Sequence, residues 1–343
     1  MTDASLQITP QVSGNAAVPL LEVRDLRVEF VQNGRLVRAV DAVNYSVHAG
    51  ETLAVIGESG SGKTVSARAI TGLLPKTAEI SGSAKFDGEE LLGLDEKALR
   101  RRFAVDYAMV FQDPARSLNP TMKIGLQIRE AILAHLPISR SEAKSRAIEL
   151  LQMVRLPAAA RRYGEYPHQL SGGMRQRVMI AIALACHPKL LIADEATTAL
   201  DVTTQAQIME LLQSLKQELN MTVVMISHDM GLAATYSDEV AVMYAGRIVE
   251  QAPTRELFKD VRMPYTRALL DAIPRADRAR HSRFPVVPGR PPVLTSLPPG
   301  CAFWPRCPRA AEDCRQQVPE LVEYERSHRW ACLHPIVPEG AAE

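Results

Sequence analysis

The segment Gly57-Glu58-Ser59-Gly60-Ser61-Gly62-Lys63-Thr64 limits this chain more than any other feature. It has the spacing G-x-x-x-x-G-K-[S/T], follows the apolar run Thr52–Ile56, and precedes a helical pattern that runs from Lys63 to Leu74 before Pro75. In a strand, glycine-rich loop and helix of this kind, successive backbone N–H groups and the positive helix end converge on one phosphate. Gly57, Ser59, Gly60, Ser61 and Gly62 form the cradle, Lys63 offers a point charge to the outer phosphates, and the Thr64 hydroxyl suits Mg²⁺. A Gly/Ser-rich loop with a stray lysine shares this composition but not the strand before it and the helix after it.

Two further buried strands end in polar clusters. Leu190 to Ala193 leads into Asp194-Glu195, and Val223 to Ile226 leads into Ser227-His228-Asp229. Between them Ile208, Leu211, Leu212, Leu215 and Leu219 share one helical face, as a crossover helix requires. Strands alternating with helices predict an α/β fold with a mainly parallel sheet and a ligand site beyond the carboxyl ends of its strands. Adjacent carboxylates at such an end are costly without a facing cation, and Mg²⁺ is the economical one. On that reading Asp194 holds the ion through water and Glu195 polarises the attacking water. His228 reaches the same phosphate, although alone it reads as a hydrogen-bonded structural residue. Ser171, Gly172 and Gly173 open the apolar helix Val178 to Ala185, which makes either a plain N-cap or a second anion site serving a neighbouring subunit's nucleotide.

Length and composition bound the rest. The 343 residues allow roughly two domains at about 150 residues each. Forty basic against 39 acidic residues give a net charge of +1 and no whole-chain reason to expect nucleic acid or anionic lipid. No run approaches the roughly 18 to 20 apolar residues of a membrane span, and the N-terminus lacks a secretory pattern, so a cytosolic, thiol-reducing compartment is expected. Ten prolines precede residue 260 and thirteen lie from Pro264 to Pro338, together with Cys301, Cys307, Cys314 and Cys332. This shift divides the chain into a leader over 1–18, a main domain over 19–263 with a helical insertion at about 114–170, and a Cys/Pro-rich tail over 264–343.

The phosphate loop, Gln112 in Val110-Phe111-Gln112-Asp113, Leu170 to Arg177, Leu190 to Glu195, Thr198-Ala199-Leu200-Asp201 and Ser227-His228-Asp229 together resemble, in order, the motif set of an ATP-binding cassette ATPase. The resemblance implies a P-loop NTPase core with an antiparallel N-terminal β subdomain. It also implies a head-to-tail dimer that sandwiches two ATP molecules between the Lys63 loop of one subunit and the Ser171 signature of the other. Gln112 would ligate Mg²⁺ and sense the membrane partner, Asp201 would cross the interface, and Phe30 would stack on adenine. Gly57-Glu58-Ser59-Gly60, Asp113-Pro114, Ser117-Leu118-Asn119-Pro120, Met174, Pro264-Tyr265-Thr266 and Pro298-Pro299-Gly300-Cys301-Ala302-Phe303 are most similar to the ATPase subunits of dipeptide and oligopeptide importers. Such subunits imply a homologous second ATPase, leaning to a heterodimer over a homodimer. They also imply two integral-membrane permeases, a solute-binding protein reached indirectly, and a peripheral place on the cytoplasmic face of the bacterial inner membrane. Ala196 departs from the family's usual proline after the catalytic glutamate, and Met263 from a frequent histidine.

Two other function classes are weighed. A soluble cassette ATPase working on nucleic acid or ribosomes calls for tandem cassettes or a basic arm, and this chain has one motif set and balanced charge. A module that holds ATP without turnover calls for replacement of Lys63, Glu195 or His228, and all three are present. The tail cysteines, separated by five, six and seventeen residues, lack the short pairs of structural zinc. The resemblance favours an iron–sulfur cluster, [4Fe–4S], with zinc or unligated thiols as alternatives. Cys186 is read as a small buried core residue on the apolar helix after the signature.

Overall fold

The computed structural model describes residues 18–32, 34–197, 200–273, 287–323 and 327–337. Residues 1–17 of the expected leader, and Thr198 and Ala199, lie outside them. The strands in chain order are β1 (Leu21–Gln32), β2 (Arg35–Val47), β3 (Thr52–Ile56), β4 (Ala78–Phe86), β5 (Glu89–Glu90), β6 (Tyr107–Val110), β7 (Leu190–Asp194), β8 (Thr222–Ser227), β9 (Glu239–Tyr244), β10 (Arg247–Pro253), β11 (Val322–Glu323) and β12 (Arg329–Trp330).

They form two sheets. One is antiparallel, in the order β2-β1-β4-β5, and is the expected N-terminal β subdomain. The other runs β11-β12-β10-β9-β3-β8-β7-β6, with β9, β3, β8, β7 and β6 parallel and the β10 edge antiparallel. Every central strand is apolar because both faces are covered. Alternate residues of β3 show this directly: Ala54 and Ile56 join a core shared with the helices, whereas Leu53 and Val55 join one shared with the antiparallel sheet and the helix Lys63–Ile70. β7 and β8 divide in the same way, Leu191 and Val223 to one side, Leu190 and Val224 to the other.

The insertion is helical as expected, with Pro114–Ser117, Ile124–His135, Arg140–Met153 and Ala159–Arg162 in sequence. Its third helix starts with a capping box between Ser139 and Glu142, and Ile124, Ile128, Ile132, Ala143, Ala147 and Leu151 are sealed from solvent. Two boundaries differ from the sequence reading. The first helix stops at Ile70 rather than Leu74, because Gly72 takes a left-handed conformation (φ +70°) and the Thr71 hydroxyl turns back to the Ala67 carbonyl. The signature helix spans Gly172–Ala183, so Cys186 sits past its end, half-buried against the core.

The tail shares the main core rather than forming one of its own. Tyr265 and Phe303 are sealed beside Tyr244 in three mutual ring contacts, and β12 extends the main sheet through β10. Composition marked a boundary at Pro264 that the packing ignores, since a proline at the first helical position starts the helix Pro264–Asp271 without hindering its burial.

Candidate functional site

Three parallel strands deliver their polar ends to one place. β3 runs into the phosphate loop, β7 ends at Asp194, and β8 ends at Ser227 before His228. At the head of the first helix Lys63 is 4% exposed, and its ammonium donates to the Gly57 carbonyl at 2.7 Å, the Glu58 carbonyl at 2.9 Å and Ser61 Oγ at 3.4 Å. Burial lowers the Lys63 pKa from its ordinary value, and the nearby Glu195, Asp194 and Glu58 carboxylates oppose that shift. The loop is thus wrapped around its own lysine.

Asp194 is 1% exposed; Thr64 Oγ1 donates to its Oδ1 at 2.7 Å, while its Oδ2 is buried with no hydrogen-bond partner. Burial raises the carboxyl pKa, against the Thr64 bond and the Arg68 and Lys63 charges. An orphaned buried carboxylate oxygen next to a hydroxyl is a donor set suited to a hard divalent cation such as Mg²⁺. Glu195, the next residue, has φ +46°, an unusual conformation for a non-glycine residue, and its backbone N–H donates to the Ile226 carbonyl at 3.0 Å. Its side chain is held from two sides: Gln112 Nε2 donates to Oε2 at 2.6 Å, and His228 Nδ1 lies 3.8 Å from Oε1. Lys63, Thr64, Gln112, Asp194, Glu195 and His228 therefore converge.

The other candidates do not join that group. Ser171 caps its helix by accepting from the Met174 N–H at 3.4 Å, the position the plain N-cap reading gives it. A Cβ on Gly173 would meet Thr204 at 2.6 Å and one on Gly172 would meet Leu200 at 3.4 Å, so this turn packs on the segment after β7. In that segment exposed Asp201 caps the helix Val202–Glu218, accepting from the Thr204 N–H at 2.9 Å and hydroxyl at 2.7 Å. Ser171 and Gly172 are exposed as well. Phe30 is half-buried on β1, opposite Val37 and Ala78, against the core of the antiparallel sheet.

Cys301, Cys307 and Cys332 are half-buried against the main core, and Cys314 is buried. Burial raises Cys301 and Cys307, and pushes Cys332 up to about 11 with the Cys301, Cys307 and Cys314 thiols adding to the rise. The backbone N–H groups of Phe303 and Trp304 at Cys301, of Arg309 at Cys307 and of His334 at Cys332 oppose that rise without reversing it. Among the described residues the one metal-capable group with all ligand atoms within 4.8 Å is Asp313, Cys314 and His334.

Sequence reasoning missed one set of contacts at the site. Glu58 of the phosphate loop makes a bidentate pair with Arg306, 248 residues away, and its N–H donates to the Tyr265 hydroxyl at 2.9 Å. Glu58 lies in the phosphate loop and Tyr265 in a motif the sequence analysis singles out, but Arg306 lies in none, and no local periodicity connects them.

The family model described as ABC transporter matches residues 40–198, and the one described as the C-terminal region of oligopeptide/dipeptide transporters matches residues 249–314. The chain is 48% identical over 332 residues to the oligopeptide transport ATP-binding protein OppD of Salmonella typhimurium, covering 97% of this chain and 98% of that one. It is 48% identical over 328 residues to the Escherichia coli protein of the same name, covering 96% and 97%. The dimeric post-hydrolysis structure of the cassette MJ0796, bound to ADP and Pi, superposes with a TM-score of 0.62 at 29% identity, covering 68% of this chain and 99% of that one.

Proposed function

Since the chain belongs to the oligopeptide and dipeptide importer branch of the ATP-binding cassette transporter family, we propose that it is the ATP-hydrolysing subunit that energises uptake of peptides or related small solutes through separate membrane permeases. The observation that carries the chemistry is the convergence of Lys63, Asp194, Glu195 and Gln112 at the ends of three parallel strands. Relatives named for peptide transport over nearly their full length favour this reading over a cassette acting on nucleic acid. Among the described residues no helix is long and apolar enough to cross a membrane, which fits a peripheral subunit whose route for solute is built by partners.

We infer the residue roles from the geometry. The phosphates of ATP dock on the backbone N–H groups of Gly60, Ser61 and Gly62, and Lys63 exchanges its loop carbonyls for an outer phosphate oxygen. Mg²⁺, held by Thr64, Asp194 and Gln112, would supply charge neutralisation between the outer phosphates. Glu195, oriented by Gln112 and His228, takes the proton of the attacking water. The His228 ring, on the far side of the carboxylate, reaches the terminal phosphate, and Phe30 packs against the adenine.

Ser171, Gly172, Gly173 and Asp201 complete the site of a second ATPase subunit, homologous and by resemblance a different chain, rather than their own. Pairing this chain's Lys63→Ala variant with a second subunit whose own signature serine is replaced by Arg leaves one site intact and one doubly damaged, whereas Lys63→Ala and Ser171→Arg together in this chain damage both sites. The first pairing should keep a substantial part of the activity that the second lacks, read as ATPase rate in the assembled transporter. Equal loss in the two pairings excludes the shared site.

For the tail, we infer that Cys301, Cys307, Cys314 and Cys332 hold an iron–sulfur cluster. Backbone N–H groups directed at sulfur stabilise thiolates in such centres. A single zinc ion, with Zn–S near 2.3 Å, would draw four sulfurs to within about 4 Å of one another, tighter than these thiols stand. The zinc reading keeps one supporting observation, the Asp313, Cys314 and His334 group. Full-length chain purified without oxygen should be brown and contain iron, and Cys307→Ser should lose both while still binding ATP. Stoichiometric zinc without iron would favour the second reading.

A further inference from the structure

Arg306 is the last residue of a single helical turn, Trp304–Arg306, directly before Cys307. Its side chain is 5% exposed, yet the charge is fully occupied: Nη1 and Nη2 donate to the two Glu58 carboxylate oxygens at 2.6 and 2.9 Å, Nε donates to the Pro288 carbonyl at 2.6 Å, and Nη1 reaches the Tyr244 hydroxyl at 3.3 Å. The guanidinium also lies 5.8 Å from the Tyr244 ring centre and 5.9 Å from that of Phe303. At the other end of the pair, Glu58 is tied at every polar group. Its N–H donates to Tyr265, its carboxylate takes the Arg306 fork, and its carbonyl accepts from Lys63 at 2.9 Å and from the Ser61 N–H at 3.2 Å.

We propose that Arg306 is a positioning residue for ATP binding, holding the phosphate loop through Glu58 so that the cysteine-bearing tail is a working part of the nucleotide site. This rests on the reading of Lys63 and its loop as the ATP site. The loop binds phosphate by aiming backbone N–H groups, so whatever fixes the Glu58 peptide fixes their direction and the Lys63 anchor. A bidentate, buried guanidinium–carboxylate pair fixes it far better than a point charge does, and removing one partner strands the other.

The test uses the full-length chain with Mg-ATP titrated calorimetrically, its melting temperature without nucleotide, and KM and kcat for ATP in the assembled transporter. Arg306→Met should weaken ATP binding and raise KM by about tenfold, while kcat at saturating ATP stays within about twofold. Arg306→Lys keeps charge and bulk but not the fork, and should fall between parent and Met. Combining Glu58→Gln with Arg306→Met should be no worse than the worse single variant, since both break one contact. An Arg306→Met or Arg306→Lys protein that melts lower yet binds ATP like the parent overturns the proposal, as does full additivity with Glu58→Gln. Lys63→Ala runs alongside: undiminished ATP binding there overturns the site reading itself, whereas lost binding there with parental binding in the Arg306 variants overturns only this proposal.

Discussion

Glu195→Gln should leave ATP bound and stop its turnover, with kcat falling by about two orders of magnitude or more, the usual worth of a positioned general base. The amide keeps the shape and the backbone of Glu195, whose left-handed φ of +46° is fixed by its N–H bond to Ile226 and by the strand before it. What changes is the proton inventory. Glutamine cannot accept the proton of the attacking water, and the 2.6 Å contact with Gln112 becomes one between two amides. Lys63, Thr64 and Asp194 are untouched, so nucleotide affinity should hold and the closed, ATP-loaded dimer should accumulate. Single-turnover hydrolysis with radiolabelled ATP, set beside equilibrium binding, separates the two effects. A Gln variant that hydrolyses at the parental rate removes Glu195 from the role of base.

How much of this was legible before any coordinates depended on how local the determining signal was. The phosphate loop, the carboxylates at the end of β7 and the histidine after β8 are each written within eight residues, and the parallel sheet brings them together because its strands share a direction. The helical insertion is similarly plain from spacing alone. The antiparallel sheet was legible only through family resemblance, since β1 pairs with both β2 and β4 across irregular registers that alternation does not reveal. The tail was harder. Its prolines and cysteines suggested separateness, but Phe303, Tyr265 and β12 bury themselves in contacts that span the chain. The Glu58–Arg306 pair is the extreme case: buried charge is matched by a partner from anywhere in the fold, and no pattern in the sequence names that partner.

Gly62→Ala should abolish ATP binding to the full-length chain, an effect at least as large as removal of the lysine beside it. Gly62 takes φ +103°, and a Cβ there would stand 2.5 Å from the Ala39 carbonyl oxygen and 3.3 Å from the Gly246 Cα. Both obstacles are backbone. Ala39 belongs to β2, and Gly246 lies in the tight β9–β10 turn, whose carbonyl accepts from the Asp41 N–H and whose N–H donates to the Ser61 carbonyl, each at 2.9 Å. Neither can withdraw without breaking a strand contact, so the loop itself has to move. The strained φ and the overlap together cost about 3 kcal/mol or more in the loop's present shape. The chain escapes by rotating the Gly62 peptide, which turns away the N–H groups that meet phosphate and displaces Lys63, the next residue, from Gly57 and Glu58. The core on either side of the sheet does not involve Gly62, so far-ultraviolet circular dichroism should stay close to that of the parent while calorimetric titration with Mg-ATP shows no heat of binding. Parental affinity in a folded Gly62→Ala protein would mean that the loop tolerates a side chain where the backbone of β2 leaves it no room.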